Sequence, residues 1–578
     1  MPKKHISPTQ FFLSVLAPAL QIQWILGVGF SMCILVSIAY LYLQDSRFPL
    51  ENIWVNLAGL GMSVGCFALG TYLIQQFDIK NHISVRRGAW IVFLTWVLGC
   101  TISAIYFMLA GFPDPANVEA YSWIRRFVDG WYESMSGFTT TGSSILASVE
   151  KFPRSVLLWR SMTHWYGGMG IAYLSVTVWK SFGFRREPII NAEAESPNYV
   201  EFKKEGDAMQ SGYDFLKVYS VLTIVLIALL YLSGIFYRTP SHIHWYDNAF
   251  EAVNYSMSIM GTGGFGVHDA SSGLPVFENG QRIIGGLRNP VSDWICGIFM
   301  FFAGMNFGVW YLFLFKRDVK GILKNAEFKW YLIFCVTITL SIWFFLVQYN
   351  VYPTIWESLR YSLFNMASIV STTGLANWDF NNWPAEAQGI LFICYLIGGC
   401  VGSTAGGPKI TRFLIAGKYL LNEIKTLIIG DHYGSFEIDG VVYTRHAAGL
   451  VTASMAIYYM IFLFGAIALM VLSHSPVLPD GTHTRLDFTS AIASSIANLG
   501  NIGPAVAIGT VNSGPTGNYY AFSTAGKVLM ILLMFIGRVG VLTFLMLFIT
   551  HRGEAHMRQS VSESKNKELQ GPVIAVAA

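Results

Sequence analysis

Long apolar stretches separated by shorter, half-apolar ones set the plan of this chain. Runs long enough to cross a ~30 Å hydrocarbon core as helices lie near 22–43, 54–77, 89–110, 155–179, 215–236, 291–315, 329–348, 388–418, 448–473 and 524–550. They predict about ten membrane-spanning helices and not the alternating ten-residue strands of an outer-membrane barrel. Between the third and fourth, fifth and sixth, seventh and eighth, and ninth and tenth runs lie segments too short to cross and too apolar for a solvated loop. These read as re-entrant: a short helix, then a loop that returns to the same side.

The basic residues orient this arrangement. Lys80, Arg86 and Arg87 mark the connection 78–89, and Lys180, Arg185, Arg186, Lys203, Lys204 and Lys217 mark 180–217. Lys316, Arg317, Lys320, Lys324 and Lys329 mark 316–329, and Lys409, Arg412, Lys418, Lys425 and Arg445 mark 409–445. An excess of Lys and Arg places a short loop on the cytoplasmic side. Both termini are therefore expected in the cytoplasm, with all four re-entrant loops entering from outside.

Composition narrows the class further. Hydrophobic residues make up 53% of the 578 and charged residues 12%, with mean hydropathy +0.47. Soluble domains carry about twice that charge, so a cytosolic enzyme, a nucleic-acid binder and a disordered scaffold are excluded. The net charge of +4 argues for no anionic partner. Cys33, Cys66, Cys100, Cys296, Cys335, Cys394 and Cys400 all fall in apolar runs, without CxxC pairing, and read as small buried hydrophobes. The N-terminal Met-Pro-Lys-Lys-His lacks a nearby cleavage site and reads as a retained cytoplasmic end. No Walker or dinucleotide fingerprint is present, and no paired nucleophile and base stands inside the spans. No enzymatic activity and no cofactor are expected of this chain.

The four re-entrant segments repeat one another. They end in 133–143 (ESMSGFTTTGS), 255–265 (YSMSIMGTGGF), 366–375 (MASIVSTTGL) and 497–504 (ANLGNIGP). Ser136, Ser258 and Ser368 each lie six residues before a glycine, Gly142, Gly264 and Gly374, and the small Ala497 keeps that distance from Gly503. A fourfold repeat in register, each copy between two spans, is a strong signal of internal symmetry. Loop backbone at membrane depth must line water or be buried in protein. Four copies about one axis make a ring of carbonyl oxygens able to replace the hydration shell of a monovalent cation. Glycine permits the backbone dihedrals such a loop requires, and each short helix aims its negative end at the loop. No cluster of Asp or Glu suits a divalent ion, so potassium-like ions are favoured.

Two further features stand out. Residues 398–408 (GGCVGSTAGGP) interrupt the eighth span with small residues ending in proline, which cannot form a good continuous helix; close packing between helices is the plain alternative. Arg538 stands about midway along the last run, where a charge is either functional or half of an ion pair between helices. Arg160, beside Trp159, reads as structural, and His164 as a packed core histidine.

With these residues the chain resembles the Trk/Ktr/HKT superfamily of potassium transporters, nearest to the bacterial Trk and Ktr membrane subunits. The likeness rests on 136–143 (SGFTTTGS), 262–265 (TGGF), 371–375 (STTGL) and 501–504 (NIGP), together with 158–170 (LWRSMTHWYGGMG), 398–409 (GGCVGSTAGGPK) and 535–538 (FIGR). It implies an all-α membrane protein of four pseudo-symmetric repeats, each span, pore helix, filter loop and span, around one pore. The repeats would be 89–200, 201–325, 326–445 and 446–552, after a pair of extra helices in 1–88 and before a cytoplasmic tail at 553–578. The resemblance assigns Thr140, Thr141, Gly142, Thr262, Gly263, Gly264, Thr372, Thr373, Gly374, Asn501, Ile502 and Gly503 to a potassium-binding selectivity filter. It makes Gly398, Gly399, Gly402, Ser403, Thr404, Ala405, Gly406 and Gly407 an intramembrane gate and Arg538 a positive barrier in the pore. The second loop departs from the family's usual serine-threonine pair. Also implied are homodimerisation, a cytosolic ring of nucleotide-binding regulatory subunits, and a place in a bacterial inner membrane. No metal other than the transported potassium, and no nucleic acid, is expected. A sodium-permeable or coupled transporter of the same architecture remains open, and a secondary transporter of organic solutes would instead show two inverted repeats.

Overall fold

The computed structural model describes residues 8–43, 49–77, 85–112, 122–170, 208–236, 244–269, 271, 276–278, 281–283, 289–317, 319–430, 435–439, 441–473, 484–506 and 511–548. The polar tail at 553–578, most of the connections 78–89 and 180–217, and the end of the expected 155–179 span lie outside these residues.

Helices α1 (Pro8–Ile22), α2 (Trp24–Leu43), α3 (Ile53–Phe77) and α4 (Val85–Leu109) are followed by a short α5 (Trp123–Phe138) and α6 (Arg154–Gly168). Then come α7 (Ala208–Phe236), the short α8 (Trp245–Gly261), α9 (Pro290–Ala303), α10 (Phe307–Tyr311) and α11 (Val319–Lys324). After them run α12 (Ala326–Gln348), the short α13 (Ile355–Val370), α14 (Ala385–Leu396), α15 (Ile410–Ile429) and α16 (Arg445–Leu472). The short α17 (Phe488–Leu499), α18 (Thr524–Val539) and α19 (Val541–Met546) complete the chain. Two antiparallel hairpins, Val276–Glu278 with Gln281–Ile283 and Ser435–Ile438 with Val441–Thr444, are the strands among the described residues.

Among the described residues six helices are long and apolar enough to cross a membrane by length and composition, α1 and α2 counting as one 35-residue candidate that begins at Thr9. The span expected from 22 thus continues an earlier helix. Trp330, Ile333, Val336, Leu340 and Phe344 of α12 are all exposed. Such an apolar outer face suits lipid and would be a liability in water.

The helices that follow the second, third and fourth glycine loops are not the continuous spans that their apolar runs predict. The 291–315 run breaks after Ala303 and turns by 107° into the segment from Phe307. The 388–418 run breaks over residues 397–409, and the 524–550 run breaks at Gly540 (φ 90°). Hydropathy measures transfer into lipid and is blind to a helix's direction. The breaks come from local backbone: Asn306 caps the new helix by accepting the Gly308 N–H, and Gly540 takes a φ that other residues avoid.

The short helices α5, α8, α13 and α17 sit in the interior. From Val128 to Phe138 nearly every residue of α5 is buried, including Asp129, Glu133, Ser134 and Ser136. One continuous core surrounds them, with Trp96, Trp159, Tyr132, Tyr255, Tyr395 and Tyr519 all fully covered.

Candidate functional site: four glycine loops, a small-residue segment and Arg538

Each short helix ends three or four residues before its loop glycine. The loops share one backbone course. Thr140, Thr262, Thr372 and Asn501 all adopt positive φ of 53–57°, and Gly142, Gly264, Gly374 and Gly503, two residues later, lie at 77–94°. The N–H before each glycine returns to the carbonyl five residues back: Thr141 to Ser136 at 2.8 Å, Gly263 to Ser258 at 2.8 Å, Thr373 to Ser368 at 2.7 Å and Ile502 to Ala497 at 2.9 Å. This explains the six-residue spacing in the sequence. A small residue must offer its carbonyl where the chain doubles back.

The loops meet in cyclic order. A Cβ on Gly142 would overlap the Gly263 carbonyl oxygen, one on Gly264 the Thr373 oxygen, one on Gly374 the Ile502 oxygen and one on Gly503 the Thr141 oxygen. Each glycine thus lies against the carbonyl of the next loop, and the fourth closes on the first. A cavity opens over all four glycines. Thr140, Thr141, Thr262, Thr372, Thr373 and Asn501 are buried, and the Thr140 hydroxyl and the Asn501 amide oxygen have no hydrogen-bond partner among the described residues.

Residues 397–409 lie against the inner ends of these loops. The segment's two feet are paired, Gly398 N–H to the Pro408 carbonyl at 2.9 Å and Ile410 N–H to the Gly399 carbonyl at 3.2 Å. The Gly406 N–H donates to the Thr372 hydroxyl at 2.7 Å, and the Thr404 hydroxyl to the Met260 carbonyl at 3.0 Å. A Cβ on Gly399 would stand 2.7 Å from the Gly304 oxygen, and one on Gly406 2.6 Å from the Gly500 oxygen. Small residues are needed because the strand threads between other backbones. Gly402 and Gly407 take positive φ. Ser403 folds inward, donating to the Cys400 carbonyl at 2.6 Å.

Arg538 reaches this segment. Its guanidinium donates to the Thr404 carbonyl at 2.6 Å and to the Gly167 and Gly168 carbonyls at 2.6 and 3.3 Å. It sits one residue before the end of α18, not midway along a continuous span, and a cation is stabilised at a helix C-terminus. Two residues that the sequence does not single out for this site join it. The Lys409 ammonium, expected in a solvated connection, donates to the Ala405 and Gly406 carbonyls. Glu327, at the start of α12 and buried, accepts from the Val401 N–H at 2.6 Å and from the Thr411 hydroxyl, holding both sides of the segment. The role of Glu327 escapes notice because it depends on a fold that returns a segment 74 residues away to it, and that of Lys409 because a basic residue beside a loop reads as solvated.

Arg160 pairs with Glu133 at 2.7 Å, both almost fully buried, and also donates to the Gly266 carbonyl at 3.1 Å. His164 is buried as expected, yet both ring nitrogens are bonded, to the Gly137 carbonyl at 2.8 Å and the Phe265 N–H at 3.1 Å.

The family model described as TrkH, cation transport protein, matches residues 119–558, which take in all four loops, the small-residue segment and Arg538. The Trk system potassium uptake protein TrkH of Salmonella typhimurium (strain LT2) is 27% identical over 473 residues, 81% of this chain and 86% of that protein. The protein of the same name from Halomonas elongata is 25% identical over 503 residues, 86% of this chain and 92% of that protein. The fold is similar to the crystal structure of the potassium transporter TrkH from Vibrio parahaemolyticus, with a TM-score of 0.70 at 21% identity, over 94% of this chain and 99% of that one.

Proposed function

Since the chain belongs to the TrkH family of cation transport proteins, we propose that it is the membrane subunit of a potassium uptake system. Potassium passes through a filter formed by the four glycine loops. The observation that carries this reading is the closed cycle in which each loop glycine lies against the next loop's carbonyl oxygen. Carbonyl oxygens so arrayed can replace the water around a monovalent cation without any carboxylate. The filter groups are Thr140, Thr141 and Gly142, Thr262, Gly263 and Gly264, Thr372, Thr373 and Gly374, and Asn501, Ile502 and Gly503. The buried, unpartnered Thr140 hydroxyl supports an ion or water beside the ring.

Residues 398–407 act as the gate. Their contacts with Met260, Thr372 and Gly500 support a position across the inner mouth of the filter. Arg538 ties the closed gate to α6 and adds a positive barrier. The four units 89–200, 201–325, 326–445 and 446–552 serve as the pore repeats. The subunit works in a bacterial inner membrane with its termini in the cytoplasm, as a homodimer on a cytosolic ring of nucleotide-binding regulatory subunits; the names of its relatives, which speak of a Trk system, favour such company.

Reconstitution into liposomes, with potassium and sodium fluxes measured separately, tests the reading. Potassium flux well above sodium flux is expected. Equal fluxes of the two ions, or flux of neither, would overturn it.

A further inference from the structure

The four loops are not braced alike. In the first, the Thr139 hydroxyl meets that of Thr141 at 2.8 Å, and in the third the Ser371 hydroxyl meets that of Thr373 at 2.7 Å. These side chains stand three residues and one residue before the loop glycine, and their bond fixes the bend between. The second loop has Gly261 and Gly263 at the two corresponding positions, so it cannot make that bond.

The space of the missing side chain is taken by His164 from α6. A Cβ on Gly263 would overlap the imidazole ring, and one on Gly261 would stand 2.5 Å from the His164 carbonyl oxygen. Nε2 accepts the N–H of Phe265, the residue after the loop glycine, so it carries no proton. Nδ1 faces the Gly137 carbonyl, which can only accept, so the proton is there. His164 is thus the neutral Nδ1–H tautomer, and it joins the last turn of the first pore helix to the exit of the second loop. One helical turn away, the Arg160 guanidinium lies 4.0 Å from the centre of the Phe265 ring, which is 4.2 Å from the His164 ring. Phe265 is therefore held by both side chains.

We propose that His164 is a selectivity-positioning residue: it supplies from outside the second loop the brace that hydroxyl pairs supply inside the first and third. This rests on the filter reading above. Loop carbonyls select among ions only while their spacing is held, so losing one brace should act on selectivity before it acts on conduction.

The test is His164→Leu against His164→Gln, with potassium-to-sodium permeability ratios taken from reversal potentials in bilayers. Leu removes both bonds and should lower the ratio about five- to tenfold, by the worth of one or two buried hydrogen bonds. Gln carries a donor and an acceptor and should recover most of it. Gly263→Thr should damage the loop, because the imidazole ring occupies the space of the added side chain. A folded His164→Leu protein with wild-type selectivity overturns the proposal, as does a His164→Gln protein no more selective than His164→Leu. If Gly142→Ser also leaves selectivity unchanged, the filter reading falls with it; if Gly142→Ser lowers selectivity and His164→Leu does not, this brace alone is refuted.

Discussion

Gly142 illustrates how one atom decides the outcome at this site. Its φ of 77° disfavours any side chain, and an added Cβ would run into the Gly263 carbonyl of the neighbouring loop. Gly142→Ser should therefore move a carbonyl that is not on its own loop and weaken discrimination between potassium and sodium. Reversal potentials in bilayers measure this, and wild-type selectivity in a well-folded variant would refute the filter assignment. Arg538 makes a second case. Charge alone would let lysine replace it, but the guanidinium spans the Thr404 carbonyl and those of Gly167 and Gly168 on another element. An ammonium cannot reproduce that fork. Arg538→Ala should raise potassium flux per molecule about 3–10-fold through loss of barrier and tie. Arg538→Lys should fall between it and wild type, and a drop in flux for Arg538→Ala, normalised to protein in the membrane, would end the barrier account.

At the scale of elements, the small-residue segment is a loop with clamped feet and a middle that bonds to the glycine loops and to Arg538. The pairing of Gly398 with Pro408 and of Gly399 with Ile410 closes its base, and Glu327 holds Val401 and Thr411 together. What reaches the glycine loops is the portion 402–407, through Thr404 and Gly406. Deleting three residues there should withdraw the tip while leaving the feet joined, and so raise basal flux. Flux assays at matched expression check this; unchanged flux would mean that the segment only packs. The chain break at Gly540 and the 107° turn after Ala303 belong to the same scale.

The whole molecule gives the first helices a place. Phe30 of α2 is fully buried and stacks on Trp159 of α6, with ring centres 3.8 Å apart and planes 18° from parallel. Glu51, just before α3, accepts from the Ser155 N–H at 3.1 Å and from its hydroxyl, capping the start of α6. The same α6 carries Arg160 and His164, so the N-terminal helices support the helix that braces the second loop. Phe30→Ala should cost about 3 kcal/mol, as large-to-small core changes do, and lower the thermal unfolding midpoint in detergent. An unchanged midpoint would show that this stacking contributes nothing to stability.

Apolar run lengths were enough to establish a helical membrane protein, because transfer into lipid depends on composition along one segment. The glycine loops were legible for a similar reason: the same backbone course recurs four times, and its last turn, at φ of 77–94°, is taken by glycine in every copy. Tertiary structure alone decided the rest. That Gly142 faces Gly263, that Lys409 is turned toward carbonyls, that Glu327 holds a segment 74 residues away and that His164 stands where two side chains are missing are contacts between distant parts of the chain. A lone histidine or glutamate on an apolar run looks the same whether it packs or braces. Only the closing of the chain around the four loops gives each its partner, and with it its role.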